Sequence, residues 1–235
     1  MNSLWNDIAG RANVVLGVGQ HALLNRYLDL LAAGNQQMNL TRIEDRAMAE
    51  VTHIGDALTL LPFLPGDPGI SVADVGSGGG VPGIPVAIAR PEIKVVLIES
   101  TKKKAAFLDR TARELGLGNV RVLAERVEDV GRDRALRESF DVAACRAVAT
   151  MNWLCEWCLP LVKKGGKLLA MKGPKVSEEL PLAEHAIRVL GGGSPDVRPV
   201  DLPGTHSHVI VEITKMGRTP LLYPRLATTT RGKPI

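Results

Sequence analysis

The chain is poor in aromatic side chains: three Trp, three Phe and two Tyr make up 3% of its 235 residues. That scarcity excludes a nucleic-acid surface built as an array of base-stacking rings. A nucleic-acid partner would be held mainly through its phosphates. Cysteine is scarce too, and the odd count of three argues against a disulfide framework. Cys155-Glu156-Trp157-Cys158 is a C-x-x-C without a second pair, whereas zinc needs two more ligands. His206 and His208 lie far along the chain, and no spacing rule joins them to it. Core packing is the expected role of both cysteines, and no metal site is expected. No apolar run approaches membrane-spanning length. Residues 1–30 lack the basic start, apolar middle and cleavage site of a signal peptide. A cytoplasmic protein that avoids the membrane is expected, and a monomer. Acids are missing from the end of the chain, where Lys215, Arg218, Arg225, Arg231 and Lys233 stand without one Asp or Glu. Taken alone, such a stretch reads as a solvated tail.

Apolar material and glycine are plentiful. Hydrophobic residues are 45% of the chain, and there are 24 glycines. That suffices for one large α/β domain with a helical extension. The net charge of +4 is compatible with nucleic acid but does not require it. Residues 1–64 read as a helical N-terminal extension, with an amphipathic helix over 21–31 ended by Gly34-Asn35. Pro62 to Gly69 is a breaker-rich linker, and residues 65–235 form the second unit. Strands are expected at 70–75, 94–99, 120–124, 140–145 and 167–171. Helices are expected at 83–90, 101–115, 150–162 and 176–190, with a short segment around 127–130. Gly165-Gly166 reads as a turn. Two late strands, roughly 196–202 and 207–214, would make a terminal antiparallel hairpin. Alternating strands and helices imply a mainly parallel, Rossmann-like sheet, with ligands at the carboxyl ends of its strands.

The run Asp74-Val75-Gly76-Ser77-Gly78-Gly79-Gly80-Val81-Pro82-Gly83 follows the first of these strands. It reads as strand, glycine turn and helix, with Pro82 and Pro85 where a helix begins. Gly78, Gly80 and Gly83 satisfy the dinucleotide pattern G-x-G-x-x-G. Gly76, Gly78 and Gly80 also satisfy D-x-G-x-G-x-G, the first motif of S-adenosylmethionine methyltransferases. Asp74 favours the second, because an acid there could bind the ammonium of a methionine-like ligand, directly or through water, and would repel a pyrophosphate. A phosphate-cradling NTPase loop is excluded by the lack of a following Gly-Lys-Ser/Thr. Glu99 ends the next apolar run and can accept from both hydroxyls of a ribose. The glycine turn would face the methionine half of the cofactor, with Val81 packed beside it.

Residues 127–128 follow the third strand. There the backbone of Val127 and the carboxylate of Glu128 could read the adenine ring, although spacing alone makes Glu128 a solvated charge. Arg146 ends the fourth strand. An ion pair capping that strand and a contact to cofactor or substrate phosphate are equally open. The same strand end restricts the reaction. It carries Cys145-Arg146-Ala147-Val148 rather than the Asp/Asn-Pro-Pro-aromatic used to methylate exocyclic amines. Cys145 lacks the preceding proline of a pyrimidine-attacking nucleophile and reads as core. A ring nitrogen with a free lone pair, such as guanine N7, has no proton to lose, so no general base is required and positioning would supply the catalysis. Two other classes stay open. An NAD-type oxidoreductase would need a Tyr-x-x-x-Lys pair, which neither Tyr27 nor Tyr223 supplies. A non-catalytic RNA-binding module would not need Asp74, the glycines and Glu99 intact.

Several blocks together resemble the RsmG (GidB) family of bacterial ribosomal RNA methyltransferases. They are Asp74 to Pro85, Glu99 to Leu108, Cys145 to Ala149 and Gly165 to Gly173. Asn39-Leu40-Thr41 and His53 to Ala57 fit the family's helical N-terminus, and Tyr223-Pro224-Arg225 and Lys233-Pro234 its basic tail. The resemblance covers roughly residues 20–235. Val81 stands where Phe or Leu is commoner, and residues 131–139 look like a longer loop. The resemblance implies a class I S-adenosylmethionine-dependent methyltransferase that modifies N7 of one guanine of 16S rRNA in the small ribosomal subunit. It also implies cofactor contacts at Gly76, Val81, Val127, Glu128 and Arg146. With Asp74, Gly78, Gly80 and Glu99 these make the expected cofactor set. It recasts the basic residues as well. Lys102, Lys103 and Lys104 open a helix, where cations oppose the macrodipole. Phosphate contact is the expected duty of Lys102 and Lys103, shared with Lys172, Arg225 and Arg231.

Overall fold

The structure is a computed structural model that describes residues 1–204, 208–230 and 232–235. It begins with α1 (Ser3–Gly10) and α2 (Val18–Met38). A short α3 (Arg46–Ala49) runs through a π-helical turn (Glu50–Gly55) into α4 (Asp56–Leu58). Then β1 (Ser71–Val75), α5 (Gly83–Ala89), β2 (Lys94–Ile98), α6 (Lys102–Glu114) and β3 (Val120–Leu123) alternate. They are followed by α7 (Val127–Val130), β4 (Phe140–Arg146), α8 (Met151–Cys158), β5 (Val162–Lys172) and α9 (Val176–Val189). The chain closes with β6 (Asp196–Pro199), β7 (Val209–Thr214) and α10 (Ala227–Thr230).

The seven strands form one sheet in the order β3-β2-β1-β4-β5-β7-β6. β1 to β5 pair in parallel, and β7 runs antiparallel to both β5 and β6. The expected parallel sheet with a terminal hairpin is therefore present. Chain order reverses between β1 and β4, because β2 and β3 add on one side and β5 on the other. A crevice opens at such a reversal, outside the carboxyl ends of the strands. Here those ends are Gly76 and Arg146.

Two expected boundaries change. Gly34-Asn35 does not end α2, which continues to Met38 and is closed by Asn39 in the left-handed region at φ 50°. Gly34 serves packing instead, since a Cβ there would lie 2.5 Å from the ring of Phe107 on α6. Gly165-Gly166 is not a turn before the fifth strand but an irregularity within β5. The pairing with β4 jumps there from Phe140↔Val162 to Val142↔Lys167.

Apolar side chains fill both faces of the sheet. One core joins Trp5, Leu24, Tyr27 and Leu58 of the N-terminal helices to Ile84, Leu97 and Leu108. The other joins Val75, Ile98 and Cys145 to Leu154, Cys155, Cys158 and Ile187. All three cysteines are free and buried, so Cys155 and Cys158 pack in the core as their helical spacing suggests. The N-terminal helices thus share a core with the sheet and lie against the glycine turn.

Candidate cofactor and substrate site

The turn after β1 is held by its own backbone. The Gly76 and Ser77 N–H groups both donate to the Ile98 carbonyl, at 2.9 and 3.2 Å. Gly76 has a φ of +71°, and a Cβ on it would stand 2.8 Å from Val148. A glycine alone meets both demands. The Gly78 N–H donates to Glu99 Oε2 at 3.0 Å, and the Thr101 N–H to Glu99 Oε1 at 2.7 Å. Each oxygen of that carboxylate keeps a lone pair for a ligand. From outside the sheet, the buried Tyr27 hydroxyl donates to the Gly79 carbonyl at 2.9 Å. Helix α2 therefore braces the turn, a contact that no local spacing in the sequence signals.

These groups border a cavity of about 420 Å³. It is lined by Gly76, Ser77, Gly78, Gly79 and Val81 from the turn, Glu99 after β2, Val127 and Glu128 of α7, and Arg146 of β4. Lys104, Trp157 and, from the N-terminal segment, Leu31, Leu40, Thr41 and His53 also line it. The volume lies in the range of small-molecule and cofactor sites. The cradle has open space in front of Gly78, where a Cβ would meet only the Gly76 carbonyl at 3.8 Å. An acid for a diol at Glu99 and a second acid at Glu128 stand on the same cavity. This donor set fits S-adenosylmethionine.

Most of the expected cofactor residues converge, and two do not face the cavity. Asp74 is 1% exposed and absent from its lining. Its Oδ2 accepts from the Gly83 N–H at 3.0 Å, so it ties the start of α5 to β1. Its Oδ1 is a buried oxygen without a hydrogen-bond partner among the described residues. Asp74 thus stands beneath the turn as a support, with one oxygen still unpartnered. Gly80 is likewise internal. Its Cβ would lie 2.5 Å from Ile84, at a φ of +101°. Glu128 is not a solvated charge. It is 4% exposed and paired with Arg126 at 2.9 Å. Sequence reasoning also left Thr41, His53, Lys104 and Trp157 without a place on this wall. The only signal for the first two was the pair of N-terminal blocks that carry the resemblance.

Burial governs the titration of this region. Asp74 is pushed up to about 7 by burial, which outweighs its bond from Gly83 and the nearby Arg146. His53 is held down at about 4, first by burial and then by Arg146, so it is neutral at pH 7. For Asp74 the folded state binds more protons than the unfolded state between 3.8 and about 7. Stability must therefore fall as pH rises through that window. His53 acts with the opposite sign between about 4 and 6.5, because its folded form binds fewer protons. Asp74→Asn keeps the shape and removes only the first contribution. In urea melts across pH 4 to 8 the variant should gain stability relative to the parent as pH rises. Parallel curves would refute the buried carboxylate as the cause.

Arg146 makes the ion pair that one of its two readings expects. Its Nη1 pairs with Asp56 Oδ2 at 3.1 Å and donates to the Thr52 carbonyl, and its Nη2 meets His53 Nδ1 at 3.3 Å. It also lines the cofactor cavity and the larger groove beside it. The basic residues divide. Lys102 and Lys103 are exposed at the start of α6. Lys172 is 12% exposed, ion-paired to Glu179 at 2.7 Å and bonded to the Ala149 carbonyl at 2.9 Å. Arg225 grips the fully buried Glu156 with two nitrogens, at 2.8 and 2.6 Å. Neither Lys172 nor Arg225 has the free, solvated cation that a phosphate contact needs. Arg231 lies outside the described residues. The basic tail is likewise no free solvated arm, for Lys215 is 1% exposed and Arg132 and Arg137 bind carbonyls of residues 219–224.

The family model described as rRNA small subunit methyltransferase G matches residues 20–201. A protein of Alkaliphilus oremlandii named ribosomal RNA small subunit methyltransferase G is 41% identical over 236 residues, covering 100% of this chain and 99% of its own. A protein of the same name from Lactobacillus johnsonii is 41% identical and covers 89% of each chain. Among solved structures, the protein described as M. jannaschii TYW2 in complex with AdoMet superposes with a TM-score of 0.53 at 17% identity, covering 76% of this chain and 81% of that one. A 16S rRNA (adenine(1408)-N(1))-methyltransferase from Catenulisporales acidiphilia gives 0.54 at 17% identity, over 64% and 87% of the two chains. At such identities the two structures speak to the fold.

Proposed function

The chain belongs to the rRNA small subunit methyltransferase G family, and from that premise we propose that it methylates N7 of one guanine of 16S rRNA with S-adenosylmethionine as methyl donor. One observation carries the reading to these residues. The glycine turn, Glu99, Val127-Glu128 and Arg146 come from four different strand ends and meet on one cavity. Bound there, the cofactor supplies an electrophilic methyl on a sulfonium. The backbone of Gly76 to Gly79 lies where it would carry the methionine carboxylate. Glu99 would accept from the ribose hydroxyls, and Val81 and Val127 would pack the apolar parts. Glu128, buried beside Val127, would accept from the adenine amino group. Guanine N7 carries a free lone pair, so no residue need remove a proton. The protein's contribution is orientation and exclusion of water.

The division of the chain supports the same reading. Residues 1–64 act as a helical extension whose Leu40, Thr41 and His53 close one side of the cavity, and residues 65–235 carry the cofactor site. The described residues contain no helix long and apolar enough to cross a membrane. A monomer working in the cytoplasm fits this picture.

Radiolabelled S-adenosylmethionine offered with 30S subunits, bare 16S rRNA and tRNA is the direct test. Label should map to a single N7-methylguanine of 16S rRNA. No label on either form of 16S rRNA would overturn the reading. Lys102 and Lys103 are the two exposed members of the basic set expected to meet phosphate among the described residues. Lys103→Gln should weaken RNA binding uniformly and lower the slope of log affinity against log salt by about one. An unchanged slope would remove Lys103 from the interface.

A further inference from the structure

A second, larger groove of about 1740 Å³ adjoins the cofactor cavity. The two share the wall formed by Leu31, Leu40, Thr41, His53, Arg146 and Ala147. Asp56 lines the groove and not the cofactor cavity. The residue is 5% exposed, with one carboxylate oxygen on Arg146 at 3.1 Å and the other 3.5 Å from His208 Nδ1. A guanidinium has five N–H groups. Arg146 directs three of them at Thr52, Asp56 and His53, and its Nε–H and second Nη2–H find no protein partner among the described residues. An Arg–carboxylate pair is therefore built into the boundary between two cavities, with hydrogen-bonding capacity left over on both partners.

Resting on the methyl-transfer reading, we propose that Asp56 and Arg146 together read the Watson–Crick edge of the target guanine and turn its N7 toward the cofactor cavity. That edge presents an acceptor (O6) followed by two donors (N1–H and the N2 amino group). The ion pair offers the complement, a donor from Arg146 followed by acceptors from Asp56. Adenine presents a donor and then an acceptor, so it would set like against like, and such mismatches leave buried polar groups unpaired. The orientation follows from the order of the pair. Arg146 borders both cavities and Asp56 only the groove. O6 therefore lies on the cofactor side, and N7 is its neighbour on the same flank of the purine.

The pair also favours the reaction itself. The N7 lone pair forms the new N–C bond while the S–C bond breaks and its electrons go to sulfur, so the purine takes up the positive charge that the sulfonium loses. N1–H becomes more acidic as that charge grows. A carboxylate accepting from N1–H therefore binds the transition state more tightly than the ground state. His53, neutral on the shared wall, adds no cation beside the charging ring.

Semi-synthetic 16S rRNA assembled into 30S subunits, with guanosine or inosine at the mapped target, tests the proposal. Inosine lacks only the N2 amino group. The parent enzyme should lose about 30-fold in kcat/KM on inosine. Asp56→Asn should lose about 100-fold on guanosine, keep its S-adenosylmethionine affinity within about two-fold by calorimetry, and bring the guanosine-to-inosine ratio close to one. A variant that keeps the parent's ratio would overturn the proposal, as would a parent that methylates both bases equally. Should Asp56→Asn fail to fold, the parent's ratio alone decides. A parent that labels no 16S rRNA defeats the methyl-transfer reading and this proposal with it, whereas equal rates on the two bases defeat only this proposal.

Discussion

Arg225→Met should cost the protein about 3–5 kcal/mol of stability. The side chain of Glu156 is fully buried on α8, and Arg225 answers it three times. The backbone N–H of Arg225 donates to Oε1 at 2.9 Å, Nε to the same oxygen at 2.8 Å and Nη2 to Oε2 at 2.6 Å. Nη2 also donates to the Lys233 carbonyl at 3.0 Å, which ties the end of the chain to the same point. Removing the guanidinium would leave a carboxylate in a core position with one backbone donor. Desolvation of an uncompensated buried charge is the larger penalty, not the loss of the pair as such. The double variant Glu156→Gln/Arg225→Met should therefore recover much of the loss. Urea unfolding of the parent, both single variants and the double variant checks this as a cycle. A loss below about 1 kcal/mol for Arg225→Met would show that the carboxylate finds water. The salt dependence of RNA binding should not change, because Arg225 is committed inside the protein.

Glu99→Ala should lower the affinity for S-adenosylmethionine by about 100- to 1000-fold. The carboxylate does two jobs. It accepts from the Gly78 and Thr101 N–H groups, at 3.0 and 2.7 Å, and so sets the turn against the end of β2. Bonds of this kind to an ionised acceptor are about twice as strong as neutral ones. Its remaining lone pairs face the cavity where the ribose would lie. Glu99→Gln should fall between parent and alanine variant, since the amide NH2 would confront one of the two backbone donors. Calorimetric titration with S-adenosylmethionine reads both. A loss under about ten-fold for Glu99→Ala would remove the ribose assignment and leave Glu99 as a brace for the turn.

The convergence of the proposed cofactor residues on one cavity was legible because it is local. Gly76 to Val81, Glu99, Val127-Glu128 and Arg146 each sit at the end of a strand, and strands announce themselves by short apolar runs. Parallel sheets place such ends side by side, so positions in sequence translate into one crevice. The same reasoning misjudged residues whose role depends on what approaches from a distance. Asp74 looked like a residue of the cavity wall and instead lies beneath the turn, bonded to Gly83. Glu128 looked solvated by its charged neighbours and is buried. Lys172 and Arg225 looked like free cations, and each has an acid from a different element waiting for it.

Local signals in the chain were enough for the alternation of strands and helices, the parallel sheet, the glycine turn and the acid that answers it. These follow from interactions over a few residues: apolar period, glycine conformation and the short reach from one strand end to the next helix. Long-range packing set the rest: α2 braces the turn through Tyr27, His53 and Asp56 meet Arg146, and some basic residues stay exposed while others are held in ion pairs. The contacts of Tyr27 and Arg146 join residues some 50 to 90 positions apart. A buried charge is tolerated only beside its partner, and nothing in the linear order of this chain says which residues will be brought together.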